Sequence, residues 1–202
     1  MKPIDPKNTD SRRLYNLMTS VITPRPIAWV STLSRDGVLN LAPFSFFNGI
    51  TSRPPLLSIS VGRRRGARKD TANNASATGE LVVNVVTEPL LERMVKTSGD
   101  YPPEVSEFDE AGVTPLASVI VEPPRVAEAP VQLECRTREI FEISPGIADL
   151  VIAEIVMVHL AEDLPIDDEL IIDPRGLRTV ARLGGRHYAL QGELREIDRP
   201  KV

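Results

Sequence analysis

The segments Thr23-Pro-Arg-Pro-Ile-Ala-Trp-Val-Ser-Thr32 and Asn40-Leu-Ala-Pro-Phe-Ser-Phe-Phe-Asn48 carry most of the information about the fold. Between them, Ser34-Arg-Asp-Gly37 places an Asp-Gly pair between two apolar runs, which is a strong β-hairpin signal. We therefore predict a strand over 27–33, a turn at Asp36-Gly37 and a second strand from Val38.

Four further apolar runs outside this hairpin predict strands, over 56–61, 81–86, 131–143 and 150–160. The run at 131–143 alternates apolar and polar residues, as a half-buried strand does, whereas 150–160 is apolar on both faces and is predicted to be the most buried strand. The 18 prolines lie between apolar runs, which suits strand ends and rigid loops. About six short strands favour a closed or partly closed barrel over a doubly wound sheet, whose Gly-x-Gly-x-x-Gly turn is missing.

Three short helices are predicted from residues that commonly cap or end helices. Their starts are Asp70, Thr87 and Ser106, and their ends are Gly79, Gly99 and Gly112. The segment from 163 to 192 is rich in loop-forming residues, and no linker divides the chain. We expect one domain over residues 1–202.

Composition limits the classes of partner and compartment. The formal charge of −4 gives no reason to expect nucleic acid or an anionic membrane as a partner. Cys135 is the sole cysteine, which excludes an intrachain disulfide and suits a reducing compartment. The N-terminus lacks the apolar core of a signal peptide, and 150–160 is too short to span a bilayer. We expect a soluble cytoplasmic protein.

The run Arg63-Arg-Arg-Gly-Ala-Arg-Lys69 places five cations in seven residues of an otherwise acidic chain. Asp70-Thr71 then begins a predicted helix, whose free N–H groups favour a phosphate. We therefore predict a phosphate site at Lys69 and Thr71, with Arg64 and Asp70 beside it. The alternative interpretation is a solvated basic loop.

Four motifs in order along the chain together resemble one family. They are Pro24-Arg-Pro-Ile-x-x-Val-Ser-Thr32, Asn40-x-Ala-Pro-x-Ser-x-Phe47, Arg68-Lys-Asp-Thr71 and Arg182-Leu-Gly-Gly-Arg-His-Tyr188. The chain from about Tyr15 to Tyr188 resembles the flavin reductase-like, FMN-binding split-barrel family, nearest its flavoredoxin and flavoprotein oxygenase branch. The resemblance implies a mainly β Greek-key split barrel of about six strands with short helices. It also implies a homodimer with each FMN at or near the subunit interface.

The resemblance and the basic run together give a set of candidate FMN-binding residues. These are Arg25, Pro26, Trp29, Val30, Ser31, Thr32, Ser45, Phe46, Phe47, Asn48, Arg64, Lys69, Asp70, Thr71 and His187. Relatives place a tryptophan of this motif beside the flavin ring, although a core position is the ordinary alternative for Trp29. Likewise, residues 45–48 are expected to reach the polar edge of the flavin, and the alternative is that Phe44, Phe46 and Phe47 cover the end of the barrel.

The remaining reactive side chains give no second chemistry. His159 and Cys135 are expected in the core, His187 is a candidate to lie over the flavin or nicotinamide, and no cluster has metal-ligand spacing. We expect no catalytic acid–base pair, because a bound flavin itself accepts hydride.

Two functions stay open at this point. The first is an NAD(P)H-dependent flavin reductase that passes hydride from the nicotinamide to FMN. The second is a flavoredoxin-like electron carrier that holds FMN and has little activity with NAD(P)H. A pyridoxamine-phosphate oxidase-type barrel fits the order of the motifs less well, and a binding module without flavin is the remaining alternative. A partner monooxygenase or redox protein is a further expectation.

Overall fold

The computed structural model describes residues 1–200 and consists mainly of antiparallel β-structure with short helices. The first half contains α1 Ser11–Val21, β1 Ala28–Leu33, β2 Leu39–Phe44, β3 Phe47–Ser52, β4 Pro55–Gly62, α2 Asp70–Thr78, β5 Glu80–Val85, α3 Leu91–Lys96 and α4 Glu107–Ala111. The second half contains β6 Pro115–Leu116, β7 Arg125–Val126, β8 Val131–Ser144, β9 Ala148–Leu160, α5 Pro174–Leu177, β10 Ala181–Arg182 and β11 Tyr188–Ala189. Single 3-10 turns lie at Pro6–Asn8 and Glu88–Leu90.

Seven strands form one sheet in the order β2-β1-β5-β8-β9-β4-β3, and every neighbouring pair in it is antiparallel. β2 and β3 lie at opposite edges of this sheet, yet only Ser45 and Phe46 separate them along the chain. The Ser60 N–H of β4 donates to the Phe46 carbonyl at 2.8 Å. So short a connection requires the sheet to curl until its edges meet at Ser45–Phe46. We call this connection the seam.

The long hairpin of β8 and β9 joins the two halves of the sheet. β8 pairs with β5 on one side, and β9 pairs with β4 on the other. The register between β8 and β9 shifts at three places, next to Cys135, Glu139 and Ser144. Such bulges increase strand bending and twist, which suits strands that wrap around a barrel.

Two cores lie on opposite faces of β1, because successive side chains of a strand point to opposite sides. Ala28 and Val30 face the barrel interior, where they pack with residues of β4, β5 and β9. Ile27, just before the strand, and Trp29 face a second core built with α3 and α4. β1 is therefore covered on both faces.

The structure confirms the six predicted strands and the three predicted helical regions, with small changes at their ends. Gly79 and Gly112 adopt left-handed conformations at the ends of α2 and α4, as predicted. The predicted caps are wrong, because Lys69 rather than Asp70 is the N-cap residue of α2, and neither Thr87 nor Ser106 accepts a side-chain capping bond. The prediction missed α1, which begins where Asp10 accepts the N–H of Arg13. It also missed β3.

The prediction that β9 is the most buried strand is wrong. Val158 and Leu160 are 49% and 39% exposed, and only the first half of β9 is buried. β8 differs in the opposite direction, because Gln132 and Glu134 on its predicted solvent face are buried. The N–H groups of residues 119–121, between β6 and β7, bind Glu134, and the carbonyls of Val126 and Ala129 accept from Gln132. In the described residues 1–200, no helix has the length and apolarity needed to cross a membrane.

Candidate flavin site

Two neighbouring pockets lie beside the seam. The first, which we call the Lys69 pocket, has a volume of about 300 Å³ and lies at the start of α2. The second, the Arg182 pocket, has a volume of about 280 Å³ and lies between α1, the seam and β10–β11. Pro43 and Ser98 line both pockets, so the two lie side by side, and we call the pair the groove.

The Lys69 pocket contains the N-terminus of α2. Lys69 is the N-cap residue, and no side chain accepts a capping hydrogen bond there. The Lys69 carbonyl accepts from the N–H groups of Ala72 and Asn73, which leaves those of Asp70 and Thr71 at the helix start. Helix starts with uncapped N–H groups stabilise anions. The Lys69 ammonium lies 5.8 Å from the centre of the Phe44 ring.

Asp149 holds the basic loop that precedes Lys69. Its fully buried carboxylate accepts from Arg63 Nε at 3.0 Å, from Arg63 Nη2 at 2.9 Å and from Arg68 Nη2 at 3.0 Å. Hydrogen bonds from Arg63 hold the pKa of Asp149 below its usual value, against the opposing effect of burial and with help from Arg68. Arg63 and Arg68 flank a tight turn in which Arg64 and Ala67 bond to each other. Asp149 therefore fixes both ends of that turn.

Charges in the Lys69 pocket are largely paired. Arg64 forms an ion pair with Asp100, and Arg68 is engaged by Asp149. Glu107 is buried and accepts the Leu41 N–H at 2.9 Å. Burial raises the pKa of Glu107, although that hydrogen bond opposes the effect. Lys69 has no ion-pair partner among the described residues, so its charge is available to a ligand.

A network of buried polar side chains supports the pocket from below. The Asn40 amide donates to the hydroxyls of Thr32 at 2.9 Å and Thr71 at 3.0 Å. The Asn74 amide donates to Thr32 at 3.1 Å. The network connects β1, β2 and α2, so it fixes the position of the helix start relative to the barrel.

Arg25 forms one wall of the Arg182 pocket and is 5% exposed. Its guanidinium donates to the carbonyls of Thr19, Ile22 and Leu183 and, at 3.3 Å, to the Ser45 hydroxyl. Burial lowers the pKa of Arg25 from its usual value, and the charge of Arg182 lowers it further, while Tyr15 opposes the change. Arg25 thereby connects α1, the seam and β10.

Arg182 lies across from Arg25. The backbones of the two residues exchange hydrogen bonds of 2.9 and 3.1 Å in an antiparallel bridge. The Arg182 guanidinium lies 4.5 Å from the centre of the Tyr188 ring and donates to the Gly185 carbonyl at 2.6 Å. This stacking orients the planar cation within the pocket.

A family model described as the flavin reductase like domain matches residues 18–181, and these include both strands of the first hairpin and the start of α2. The chain belongs to this family. Nitrilotriacetate monooxygenase component B from Bacillus cereus is 38% identical, with a TM-score of 0.92 and 98% of each chain covered. A 2-nitrobenzoate 2-nitroreductase from Pseudomonas fluorescens is 32% identical, with a TM-score of 0.90 and 98% and 96% covered.

The fold has a further solved relative. A split-barrel protein from Shewanella frigidimarina is 24% identical, has a TM-score of 0.85 and covers 96% of each chain. The predicted family and the predicted split-barrel fold are therefore confirmed. The main sheet has seven strands rather than about six, because β3 pairs with β4 as an extra edge strand.

The groove suits the flavin that gives this family its name. A helix start with an unpaired lysine matches a phosphate, and buried amides and hydroxyls match a polar chain. The second pocket adds apolar surface from Ile27, Pro43 and Met94, which matches part of a flat aromatic ring. Of the residues predicted to bind FMN, Arg64, Lys69, Asp70 and Thr71 line the Lys69 pocket, while Arg25 and Ser45 line the Arg182 pocket.

Four predicted residues of β1 lie behind the groove rather than in it. Trp29 has no exposed surface, and its indole N–H donates to the Thr97 hydroxyl at 2.8 Å. Val30 packs in the barrel interior, Ser31 bonds to the Pro124 carbonyl, and Thr32 belongs to the Asn40 network. The side-chain geometry therefore favours the core alternative for Trp29, because an indole with no accessible surface offers no face to a ring.

The other predicted residues surround the seam or lie away from it. Phe47 packs on the barrel core, while Phe46 is exposed with its ring centre 6.5 Å from that of Tyr15. Pro26 and Asn48 are exposed and line neither pocket. His187 lies on the surface of the β10–β11 hairpin, where Nδ1 is 3.1 Å from the Gly184 carbonyl. None of these five side chains lines the groove.

Other reactive side chains are structural. Cys135 is fully buried, as predicted, and burial raises the pKa of its thiol. His159, which was expected in the core, is only half-buried and contacts the Glu134 carboxylate at 2.6 Å. Asn40 and Glu107 line the groove without having been predicted. Asn40 begins the Asn-x-Ala-Pro motif and was recognisable, whereas Glu107 is brought in by α4 and carried no sequence signal.

Proposed function

We propose that the protein binds FMN in this groove and reduces flavin with NADH or NADPH as the electron donor. The observation that carries the proposal is the uncapped start of α2 beside an unpaired Lys69, joined at Pro43 and Ser98 to a partly apolar pocket. This arrangement occurs in a chain of the flavin reductase-like family. Phosphate, polar chain and flat ring each have a matching part of the groove.

The residues of the Lys69 pocket would hold the phosphate and the ribityl chain. Lys69 supplies the charge, and the N–H groups of Asp70 and Thr71 supply directed donors. Asn40 and Glu107 border the same pocket. The Glu107 carboxylate is suited to accept hydrogen bonds from the hydroxyl groups of the ribityl chain. The ring would lie over Pro43 towards Ser45.

The protein would contribute orientation and exclusion of water rather than acid–base catalysis. FMN, when bound, supplies a hydride acceptor. Ile27 and Met94 give the Arg182 pocket apolar surface, which limits water near a ring placed at Pro43. Ser45 is held by Arg25, so the seam is a fixed support for that ring.

The assembly is part of the same proposal. We expect a soluble cytoplasmic homodimer, and exposed apolar side chains at the two ends of the β8–β9 hairpin are candidates for the subunit contact. They include Phe141, Ile143 and Ile147 near its turn and Val158 and Leu160 at the end of β9. The Bacillus cereus relative is a component of a monooxygenase, which supports an oxygenase as the consumer of reduced flavin.

The spectrum of the purified protein tests this function against the electron-carrier alternative. We expect a yellow protein, or a colourless one reconstituted with FMN, whose visible bands bleach when NADH or NADPH is added without oxygen. If dithionite reduces the bound FMN but neither NADH nor NADPH does, the result would instead support an electron carrier. Failure to bind FMN at micromolar concentrations, together with no reduction of free FMN, would refute both functions.

A further inference from the structure

We propose that the Arg182 pocket binds a small aromatic carboxylate, which would be a second ligand beside the flavin. The proposal rests on the proposed function only for the position of the flavin ring next to Ser45. The pocket itself is defined by two arginines, two tyrosines and a short apolar wall.

The charge in this pocket is unbalanced. Arg25 and Arg182 line it, and no aspartate or glutamate is among its lining residues in the described part of the chain. Neither arginine forms an ion pair within residues 1–200, since Arg25 donates only to carbonyls and one hydroxyl, and Arg182 to the Gly185 carbonyl. The Lys69 pocket differs, because three acidic residues balance its cations. In a chain of net charge −4, a cleft with two unpaired cations favours an anion.

The backbone bridge between Arg25 and Arg182 brings the two positive charges close together. Arg25 and Arg182 are directly opposite each other across an antiparallel pair, where like charges destabilise the pairing. An anion bound to Arg182 in the same pocket would relieve that repulsion, while Arg25 keeps its four hydrogen bonds to protein oxygens. Arg182 donates only one of its hydrogen bonds to Gly185, so the rest of its planar edge is free to bind a carboxylate in the described structure.

The remaining lining selects the size and shape of the anion. Tyr188 lies against the Arg182 guanidinium, and Tyr15 lines the same pocket. Ile27, Pro43 and Met94 supply apolar surface on the side where the flavin ring is proposed, so the second ligand would lie beside that ring, towards Tyr15 and Tyr188. The whole pocket has a volume of about 280 Å³, at the small end for ligand sites, so the part left beside the flavin suits one substituted ring and is too small for a dinucleotide. An aromatic ring bearing a carboxylate matches both the charge and the walls.

Calorimetric titration of the purified protein with sodium benzoate tests the proposal, with benzamide as the neutral isostere. We expect benzoate to bind and benzamide to bind at least about ten-fold more weakly, because charge-assisted bonds to arginine are strong. Arg182→Met should weaken benzoate by about ten-fold or more and leave benzamide unchanged. Arg186→Met is the matched control, since Arg186 belongs to the same hairpin and does not line the pocket.

Several results would overturn the proposal. Equal affinity for benzoate and benzamide, or equal effects of the two arginine variants, would remove the carboxylate site. Inorganic phosphate that competes as well as benzoate would show an anion site without preference for a ring. If Arg182→Met abolished the preference for FMN over riboflavin, the pocket would hold the phosphate of FMN itself. Calorimetry detects benzoate binding without electron transfer. A protein that binds benzoate but does not reduce flavin would therefore contradict the proposed function and not this proposal.

Discussion

Replacing Asp149 by asparagine should both destabilise the protein and weaken its binding of the FMN phosphate. The carboxylate accepts three bonds of 2.9–3.0 Å from Arg63 and Arg68 while it is fully buried. An asparagine of the same shape keeps one acceptor oxygen and loses the charge. Charge-assisted bonds contribute roughly 1.5–3 kcal/mol each, and the arginines regain some hydration, so we expect a loss of about 2–4 kcal/mol. The melting temperature should fall by roughly 4–16 °C in a chain of this size.

The control for this substitution is Glu142→Gln, which removes the other carboxylate that contacts Arg63. Glu142 is 43% exposed, and its pair should contribute at most about 1 kcal/mol. Thermal unfolding and urea titration measure both variants. FMN affinity should fall several-fold in Asp149→Asn with little change for riboflavin, because the turn before Lys69 loses its fixed ends. A Tm for Asp149→Asn no lower than that of Glu142→Gln would refute the reasoning.

The stabilising effect of Asp149 should also depend on pH in a defined direction. Its folded-state pKa is depressed, so its contribution is complete well above the unfolded value of about 3.9 and is lost as pH falls through the folded value. The difference in stability between the wild type and Asp149→Asn should therefore close in acid. A difference that persists unchanged below about pH 3 would indicate that shape, rather than charge, fixes the loop.

Four further predictions follow from the site and the core. Lys69→Ala should weaken FMN by about ten-fold or more and riboflavin little, measured by fluorescence titration; equal losses would remove the phosphate assignment. Trp29→Phe should cost about 1–3 kcal/mol in urea unfolding by losing the bond to Thr97, and a changed flavin spectrum would return the indole to the ring site. Burial alone would raise the pKa of Glu134, but hydrogen bonds from three backbone N–H groups and a histidine outweigh that effect and hold the pKa below its usual value. The charged carboxylate therefore stabilises the fold above that range, so Glu134→Gln should destabilise the protein more at pH 7 than at pH 4, measured by urea unfolding at both pH values. Sedimentation should give twice the mass of one chain at micromolar concentration, and a monomer that binds FMN would contradict the proposed assembly.

The local signals of the sequence predicted most of the fold. Asp36-Gly37 and the alternating runs located the strands, because turn geometry and strand period are properties of neighbouring residues. The burial of β8 and β9 was not predictable in the same way. It depends on which loop covers the face of Glu134 and on how far β9 extends beyond its neighbour β4, and both are long-range contacts.

The candidate site shows the same division. Lys69 and Thr71 were recognisable because a basic run directly precedes a helix start. Trp29 and Ser31 belong to the same motif as Arg25, yet only tertiary structure shows that their side chains turn towards the second core. The opposition of Arg25 and Arg182 joins residues 157 positions apart, which no local pattern encodes.

The seam also determines where this barrel is stiff. Two residues connect the edge strands β2 and β3, so those edges can separate by no more than roughly 11 Å at Ser45–Phe46, while their opposite ends have no such tether. We therefore expect any separation of β2 from β3 to be smallest at the seam and largest at the far ends of the two strands. A ligand supported by Ser45 lies close to the seam. A circular permutant opened between Ser45 and Phe46 would remove this tether and should loosen that end of the groove first.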